Sequence, residues 1–105
     1  DHIFIGCRMA AELGADLVKT FYTGPKFEEI TKATPVPVLA LGAKKTPREI
    51  DALQLAYDAV NHGARGIVFV RNVLQAKSPE KLLDALKEVV KAGKTPQDVA
   101  AKFGL

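Results

Sequence analysis

A lysine within a run of apolar residues is the first group in this sequence whose type and position could do chemistry. Lys19 lies in the stretch "GADLVKTFYTG", between Leu17 and Phe21. An amine that loses its hydration among apolar side chains, with a second cation nearby, has a lowered pKa. The neutral amine can then attack a carbonyl carbon and form a Schiff base. The alternative is a lysine at the end of a strand whose ammonium group extends into solvent.

Two later segments contain residues that suit phosphate binding. The segment "LGAKK" contains Gly42, which allows the backbone to approach a ligand closely, and the amides that follow can donate to its oxygens. The segment "VRNVLQ" contains Arg71, whose guanidinium can hold two phosphate oxygens at once. Both segments also supply cations that would lower the pKa of the candidate amine. The alternative for each segment is an ordinary loop between a strand and a helix.

The remaining reactive side chains form no comparable pattern. Cys7 lies on the apolar face of a predicted helix, where a core position is expected. His2 and His62 are isolated, and no grouping of cysteine, histidine and carboxylate has the spacing of a metal site. Tyr22 follows the candidate lysine, and its ring could line a pocket or pack on the next helix. We therefore predict neither a metal site nor a cofactor.

The elements that must position these groups alternate along the chain. Helical periodicity, apolar runs and breaks rich in glycine and proline predict the order αβαβαβαα. The predicted helices cover 1–14, 26–33, 46–63, 78–93 and the residues from Thr95 onward, and the predicted strands cover 15–21, 36–43 and 64–70. Such alternation implies right-handed crossovers and a single parallel sheet, and hence an α/β fold.

Local signals at the ends of the elements support these boundaries. The third predicted helix starts with Thr46 as N-cap, Pro47 at the first helical position and Glu49 three residues after the cap. The fourth predicted helix repeats the pattern with Ser78 before a proline. The strand 36–43 is apolar throughout, with its prolines near the start, which favours burial on both faces, as in parallel sheets.

Parallel strands would bring the candidate groups to one edge of the sheet. In such folds ligands collect at the carboxyl ends of the strands. Lys19 stands at the end of the first predicted strand, Gly42 follows the second and Arg71 follows the third. Their convergence follows from the topology alone. Three parallel strands also leave two open edges, which other strands are expected to cover.

Composition and charge limit the classes of function. The 105 residues suffice for one small domain, and 48% of them are hydrophobic. The net charge of +3 comes from 15 basic and 12 acidic residues, so we predict no nucleic-acid binding and favour small anionic ligands. No apolar run reaches the ~18 residues of a membrane helix, and the single cysteine fits a reducing compartment. We predict a cytoplasmic protein that contacts no membrane.

Three strings of the sequence, in order and with similar spacing, resemble the C-terminal part of archaeal-type class I fructose-bisphosphate aldolases. They are "AAELGADLVKTFYTG", "PVPVLALGAKK" and "GARGIVFVRNVLQ". The same superfamily includes deoxyribose-phosphate aldolase, a heptulosonate synthase and the autoinducer-2 phosphate thiolase. The resemblance implies that residues 1–105 are a single partial-barrel domain, which supplies the last three strands of a (βα)8 TIM barrel.

The resemblance also implies the roles of particular residues. Lys19 matches the lysine that forms the Schiff base with the ketose carbonyl. Gly42 and Ala43 match paired glycines, and Val70 and Arg71 match a Gly-Arg pair, in the two loops that form the family's phosphate site. Ala43 and Val70 depart from the family's glycines, and a lysine follows Ala43 where the family has proline. The affinity or geometry of phosphate binding is therefore expected to differ from the family pattern.

The predicted function is that of the C-terminal portion of a class I aldolase, which cleaves or forms a phosphorylated ketose through a lysine Schiff base. The family's proton-transfer residues, an aspartate and a tyrosine on earlier strands, fall outside this chain, so we expect the chain alone to be inactive. One alternative is a non-enzymatic partial barrel that self-associates, and another is acyl transfer, as in the thiolase. The expected partners are a phosphorylated sugar and either further copies of the chain or the missing barrel half, because the chain is expected to begin in mid-domain.

Overall fold

The computed structural model describes residues 2–42 and 46–105. Within these ranges, helices and strands alternate up to the third strand, and three helices follow it. The elements are α1 (His2–Glu12), β1 (Val18–Phe21), α2 (Phe27–Ala33), β2 (Val38–Leu41), α3 (Glu49–Asn61), β3 (Gly66–Val68), α4 (Arg71–Leu74), α5 (Pro79–Ala92) and α6 (Pro96–Phe103). The strands form one sheet in the order β1-β2-β3, and both pairs are parallel. The predicted α/β class is therefore confirmed.

The register of the sheet places the strand ends at a common edge. Lys19 pairs with Leu39, and two residues further along Phe21 pairs with Leu41. On the other side of β2, Leu39 pairs with Gly66 of β3 and Leu41 pairs with Val68. All three strands therefore end together, and beyond this carboxyl edge the chain turns into the segments to which the sequence assigns phosphate binding.

One face of the sheet is covered by helices. Val18, Val38 and Ala40 point to this face and are at most 9% exposed. They pack against side chains from α1, α2 and α3 because apolar residues recur on one side of each helix. The buried members of this core are Cys7, Val18, Phe27, Ile30, Val38, Ala40, Ala59 and Ala64. Removing these side chains from water is what holds the helices on the sheet.

A second core joins α3 to α5 and α6. Its buried members are Leu53, Ala56, Leu82, Ala85, Leu86, Val89, Val99 and Ala100. The longest helix in the described part of the chain is α5, with 14 residues and charged side chains opposite its buried stripe. Among residues 2–42 and 46–105, no helix has both the length and the apolar character that a membrane crossing requires.

On the opposite face of the sheet, the described side chains of β1 and β2 are partly or largely exposed. Along β1, buried Val18 is followed by exposed Lys19, and Phe21 is 51% exposed. Along β2, buried residues alternate with the partly exposed Leu39 and Leu41. The expectation that β2 is buried on both faces is wrong for this chain, because all the covering helices pack on the same side.

The ends of the helices agree with the sequence signals in part. Ser78 precedes α5 as predicted, and the Thr95 hydroxyl accepts a hydrogen bond from the Asp98 amide at the start of α6. The prediction for α3 is wrong, since its N-cap is Arg48, whose amide donates to Asp51. Thr46 lies before this cap and bonds elsewhere in the molecule. The short helix α4 was not predicted.

Candidate active site

Lys19 lies within β1 and faces the uncovered side of the sheet. It is the second residue of the strand, so the prediction that it stands at the strand's end is wrong. Its neighbours on that face, Leu17 and Phe21, are each 51% exposed, and Lys19 itself is exposed. Within the described residues, its side chain makes no hydrogen bond or ion pair. The apolar enclosure that the sequence predicts around the amine is therefore not provided by this chain alone.

The distance from Lys19 to the carboxyl edge follows from the register. Lys19 pairs with Leu39, and Gly42 is the third residue after Leu39. At the rise of a β-strand, three residues correspond to about 10 Å along the strand. The Lys19 amine is therefore set deeper along the sheet than Gly42, which lies nearer the carboxyl edge.

Gly42 is buried where β2 meets the turn after β3. Its amide donates to the Val68 carbonyl at 3.3 Å, which extends the contact between these strands by one residue. A Cβ at this position would lie 2.8 Å from Phe69 Cδ1 and 3.1 Å from Asn72 Nδ2. The glycine is therefore required by close packing of the β3–α4 turn, in addition to any approach of a ligand.

Val70 and Arg71 are at the start of α4. Val70 is 57% exposed and has a φ of −100°, which any residue adopts without strain. Arg71 is exposed, and its guanidinium makes no hydrogen bond or ion pair within the described part of the chain. Ala43, assigned to the same phosphate site, and the two lysines after it lie outside the described residues.

Asn72, which follows Arg71 at the carboxyl edge, is a buried polar residue to which the sequence assigns no separate role. It is 2% exposed, and its Oδ1 accepts hydrogen bonds from the Thr46 amide at 2.8 Å and from the Thr46 hydroxyl at 3.1 Å. A buried asparagine leaves no periodic signal, and its burial here arises because the segment before α3 folds against α4. The one available signal was its place beside Arg71.

Tyr22 and His62 form a polar contact between the β1–α2 loop and the end of α3. The Tyr22 hydroxyl lies 3.2 Å from His62 Nδ1, which is also 2.7 Å from the Asp58 carbonyl oxygen. Burial, together with the nearby Asp58 carboxylate, raises the pKa of Tyr22. The Tyr22 ring packs edge-on against Phe27, 5.4 Å between centroids. Of the two predictions for Tyr22, packing of its ring on the following helix, α2, is therefore confirmed.

Cys7 is part of the core, and the described residues include no group of potential metal ligands. Cys7 is 3% exposed in the core, and burial raises the pKa of its thiol, which disfavours the nucleophilic thiolate. Its predicted core position is confirmed. Among residues 2–42 and 46–105, no three histidine, cysteine or carboxylate side chains are grouped as metal ligands would be.

Proteins of similar sequence are longer than this chain. The chain is 41% identical over 93 residues to an uncharacterised aldolase of Pasteurella multocida, a match that covers 89% of this chain and 32% of the relative. It is also 41% identical over 86 residues to the 3-hydroxy-5-phosphonooxypentane-2,4-dione thiolase of Photorhabdus laumondii, over 82% of this chain and 29% of that protein. No family model matches the chain. The chain thus spans about a third of the length of these relatives.

Solved structures of similar fold include archaeal aldolases. The crystal structure of an archaeal fructose 1,6-bisphosphate aldolase superposes with a TM-score of 0.82 at 41% identity, over 87% of this chain and 37% of that chain. Another archaeal fructose-1,6-bisphosphate aldolase, with its catalytic lysine covalently bound to the carbinolamine intermediate of the substrate, superposes with a TM-score of 0.78 at 38% identity. That match covers 84% of this chain and 36% of the other. In sequence and in structure, the chain is therefore similar to one part of the archaeal fructose-1,6-bisphosphate aldolases.

Proposed function

We propose that this chain is the C-terminal section of a class I aldolase and carries its Schiff-base lysine, Lys19. In the complete enzyme, the reaction is the reversible cleavage of a phosphorylated ketose. The observation that carries the proposal is the position of Lys19, which faces the uncovered side of a parallel sheet below the edge where Gly42 meets the β3–α4 turn. A related aldolase is known with its catalytic lysine bound to a carbinolamine.

We further propose that residues 1–105 are one domain that forms the last three strands of a (βα)8 barrel. The parallel order of the strands and the placing of helices on one face both support this architecture. The uncovered face would be the barrel interior, and the remaining strands would enclose Lys19 among apolar side chains. Such enclosure removes water from the amine, which favours its neutral, nucleophilic form.

The chemistry proposed for Lys19 begins with attack of Nζ on the C2 carbonyl of the ketose. The carbinolamine loses water and becomes a protonated imine, which draws electrons from the adjacent carbon. The C3–C4 bond then breaks, its electron pair passes into an enamine, and the C4 hydroxyl gives its proton to a base. Gly42, the amides after it and Arg71 would hold a phosphate group of the substrate while this occurs.

Trapping the imine tests the role of Lys19 directly. Borohydride reduces an imine to a stable secondary amine, so treatment of the complete enzyme with dihydroxyacetone phosphate or fructose 1,6-bisphosphate is expected to add a covalent mass to it. The adduct should disappear in Lys19→Ala and persist in Lys32→Ala, which removes an exposed lysine of α2. An adduct that survives in Lys19→Ala would reject the assignment.

The chain alone is expected to show little or no retro-aldol turnover. Cleavage needs a positioned acid or base in addition to the amine, and the family's proton-transfer residues fall outside this chain. A coupled assay of the purified chain on fructose 1,6-bisphosphate measures this. Turnover at the rate of a full-length aldolase would contradict the proposal that the chain is an incomplete barrel.

Acyl transfer is a second candidate, because relatives at 41–42% identity are named as thiolases. A thiolase passes an acyl group to a thiol, whereas an aldolase needs no acceptor other than water to release its enamine product. Reconstituting the full-length parent and comparing product formation with and without coenzyme A separates the two reactions. A non-enzymatic, self-associating α/β module is the remaining alternative, favoured by the exposed apolar side chains on the uncovered face.

A further inference from the structure

The ring of His62, at the C-terminal end of α3, has one neutral tautomer that fits its contacts. Its Nδ1 lies 2.7 Å from the Asp58 carbonyl oxygen, which can only accept a hydrogen bond. Two acceptors at this distance would repel each other, so Nδ1 carries the proton. The Tyr22 hydroxyl oxygen lies 3.2 Å from the same nitrogen, so this N–H is shared between two acceptors, as is common at helix ends.

His62 also holds the chain through its backbone. The Thr31 hydroxyl donates to the His62 carbonyl at 2.8 Å, the shorter of its two contacts with carbonyl oxygens. Gly63 follows with a φ of 101°, and a Cβ at this position would collide with the Thr31 hydroxyl. His62 therefore contacts both ends of the segment 22–31, with its ring at Tyr22 and its carbonyl at Thr31.

The segment 22–31 directly follows the strand that carries Lys19. This strand, β1, has four residues and pairs only with β2 within the described part of the chain. A short strand with hydrogen bonds on one side has low local stability. Tyr22 is the first residue after β1, so its hydrogen bond to His62 and its ring contact with Phe27 restrain the end of this strand.

We propose that His62 is a positioning residue for Lys19. As the Nδ1–H tautomer, it holds the segment 22–31 against the end of α3 and so fixes the strand from which the amine extends. The part that concerns position depends only on the contacts with Tyr22 and Thr31, and it needs no ligand. The part that concerns Lys19 as the reacting amine rests on the proposed function.

Nitrogen NMR of the purified chain tests the tautomer. At a pH where the ring is neutral, Nδ1 of His62 should give the signal of a protonated ring nitrogen and Nε2 that of an unprotonated one. His2, which is exposed in α1, is the internal reference and should show the mixture of tautomers of a free imidazole. A neutral His62 with its proton on Nε2 would overturn the proposal.

Hydrogen exchange of the Phe27 amide, which donates to the Gly24 carbonyl at 2.9 Å within the segment, tests the positioning part. Tyr22→Phe keeps the ring and removes the hydroxyl, so this amide should exchange about fivefold faster, the effect of losing one hydrogen bond. Tyr57→Phe is the matched control, since the Tyr57 hydroxyl bonds to no described residue, and it should leave the exchange unchanged. Equal Phe27 exchange in the two variants would overturn the positioning part.

Two substitutions of His62 separate its N–H donor from the rest of the ring. His62→Asn carries an N–H on the atom bonded to Cγ, where histidine has Nδ1, so the Phe27 amide should stay protected to within about twofold. His62→Ala removes the donor and should speed the exchange about fivefold. Equal exchange in His62→Asn and His62→Ala would contradict a role for the donated hydrogen bond.

Borohydride trapping in the complete enzyme tests the link to Lys19. Tyr22→Phe and His62→Ala should each slow trapping with saturating dihydroxyacetone phosphate about fivefold, because the amine is displaced. The half-saturating concentration should change by less than about twofold, His62→Asn should restore the rate, and Tyr57→Phe should match the wild-type enzyme. Wild-type rates in Tyr22→Phe and His62→Ala would overturn the link to Lys19. No trapping by the wild-type enzyme would contradict the proposed function, while Phe27 exchange would still decide the positioning part.

Discussion

Gly42 is packed closely against Phe69, so a larger side chain at this position would collide with the ring. A Cβ would lie 2.8 Å from Phe69 Cδ1, which is closer than real Cβ atoms come, and 3.0 Å from Phe69 Cγ. Phe69 cannot simply swing away, because its ring packs against the core between α3, α5 and α6. The contact between the end of β2 and the β3–α4 turn therefore depends on a glycine at position 42.

Gly42→Ala is expected to destabilise the fold by about 1–3 kcal/mol, since the new methyl group displaces a packed ring. Urea unfolding measures the change. Gly6→Ala is the control: a Cβ there meets nothing within 4 Å and lies in α1, so the free energy of unfolding should rise by up to about 1 kcal/mol. A Gly42→Ala variant as stable as the wild-type chain would contradict the close packing.

At the scale of elements, one carboxylate ties α5 to α6. Glu88 Oε1 accepts from Lys94 Nζ at 2.6 Å and from Lys102 Nζ at 2.9 Å. Lys94 lies between the two helices and Lys102 lies on α6. These hydrogen bonds, that from Lys94 above all, hold the pKa of Glu88 below its ordinary value of 4.5. Ionised Glu88 therefore adds an electrostatic contact to the apolar packing of α5 on α6.

The contribution of Glu88 to stability is expected to depend on pH. Because its pKa is lower in the folded chain than in the unfolded chain, the contribution is complete above about pH 4.5 and is lost as the pH falls through the folded value. Glu88→Gln should lower the urea midpoint at pH 7 and lower it less at pH 3. Asp84→Asn, on the same helix and without an ion pair to any described residue, should have a small and equal effect at both values. An effect of Glu88→Gln that is the same at both pH values would refute the role of the charge.

At the scale of the whole molecule, helices cover one face of the sheet, whereas apolar side chains are exposed on the other. Leu17 and Phe21 are each 51% exposed beside Lys19, and β1 and β3 are both edge strands within the described part of the chain. Exposed apolar surface and unpaired parallel edges are usually covered by other chain segments. The proposed barrel would cover them, since the chain spans about a third of its relatives.

We expect the isolated chain to self-associate through this face. Sedimentation equilibrium should show a mass that rises with concentration, and Phe21→Glu should reduce the association because it places a charge on the exposed apolar face. The unfolding free energy of the monomer should change by less than about 1 kcal/mol, since Phe21 is half exposed. Ala101→Glu, on the exposed side of α6, is the control and should leave association unchanged. A mass independent of concentration would argue against association.

The start and the end of α5, which were predicted from neighbouring residues in the sequence, are confirmed. Ser78 precedes α5, and Gly93 ends it with a φ of 70°, the left-handed conformation that glycine adopts most easily. The start of α3 was predicted wrongly, because Thr46 bonds to Asn72, 26 residues later, and leaves the cap to Arg48. The four residues of α4 are too few for any helical period to show.

By itself the sequence determined the alternation of helices and strands, from which the parallel sheet follows. It also determined the resemblance that marks Lys19 and the two candidate phosphate segments. Periodicity, capping and motif spacing are local properties of the chain, so the sequence alone shows them. Only the tertiary structure decided that the helices cover one face of the sheet and that Lys19 is exposed on the other. It also decided that Asn72 lies between Gly42 and Thr46. These facts depend on contacts between residues far apart in the chain, which no local pattern encodes.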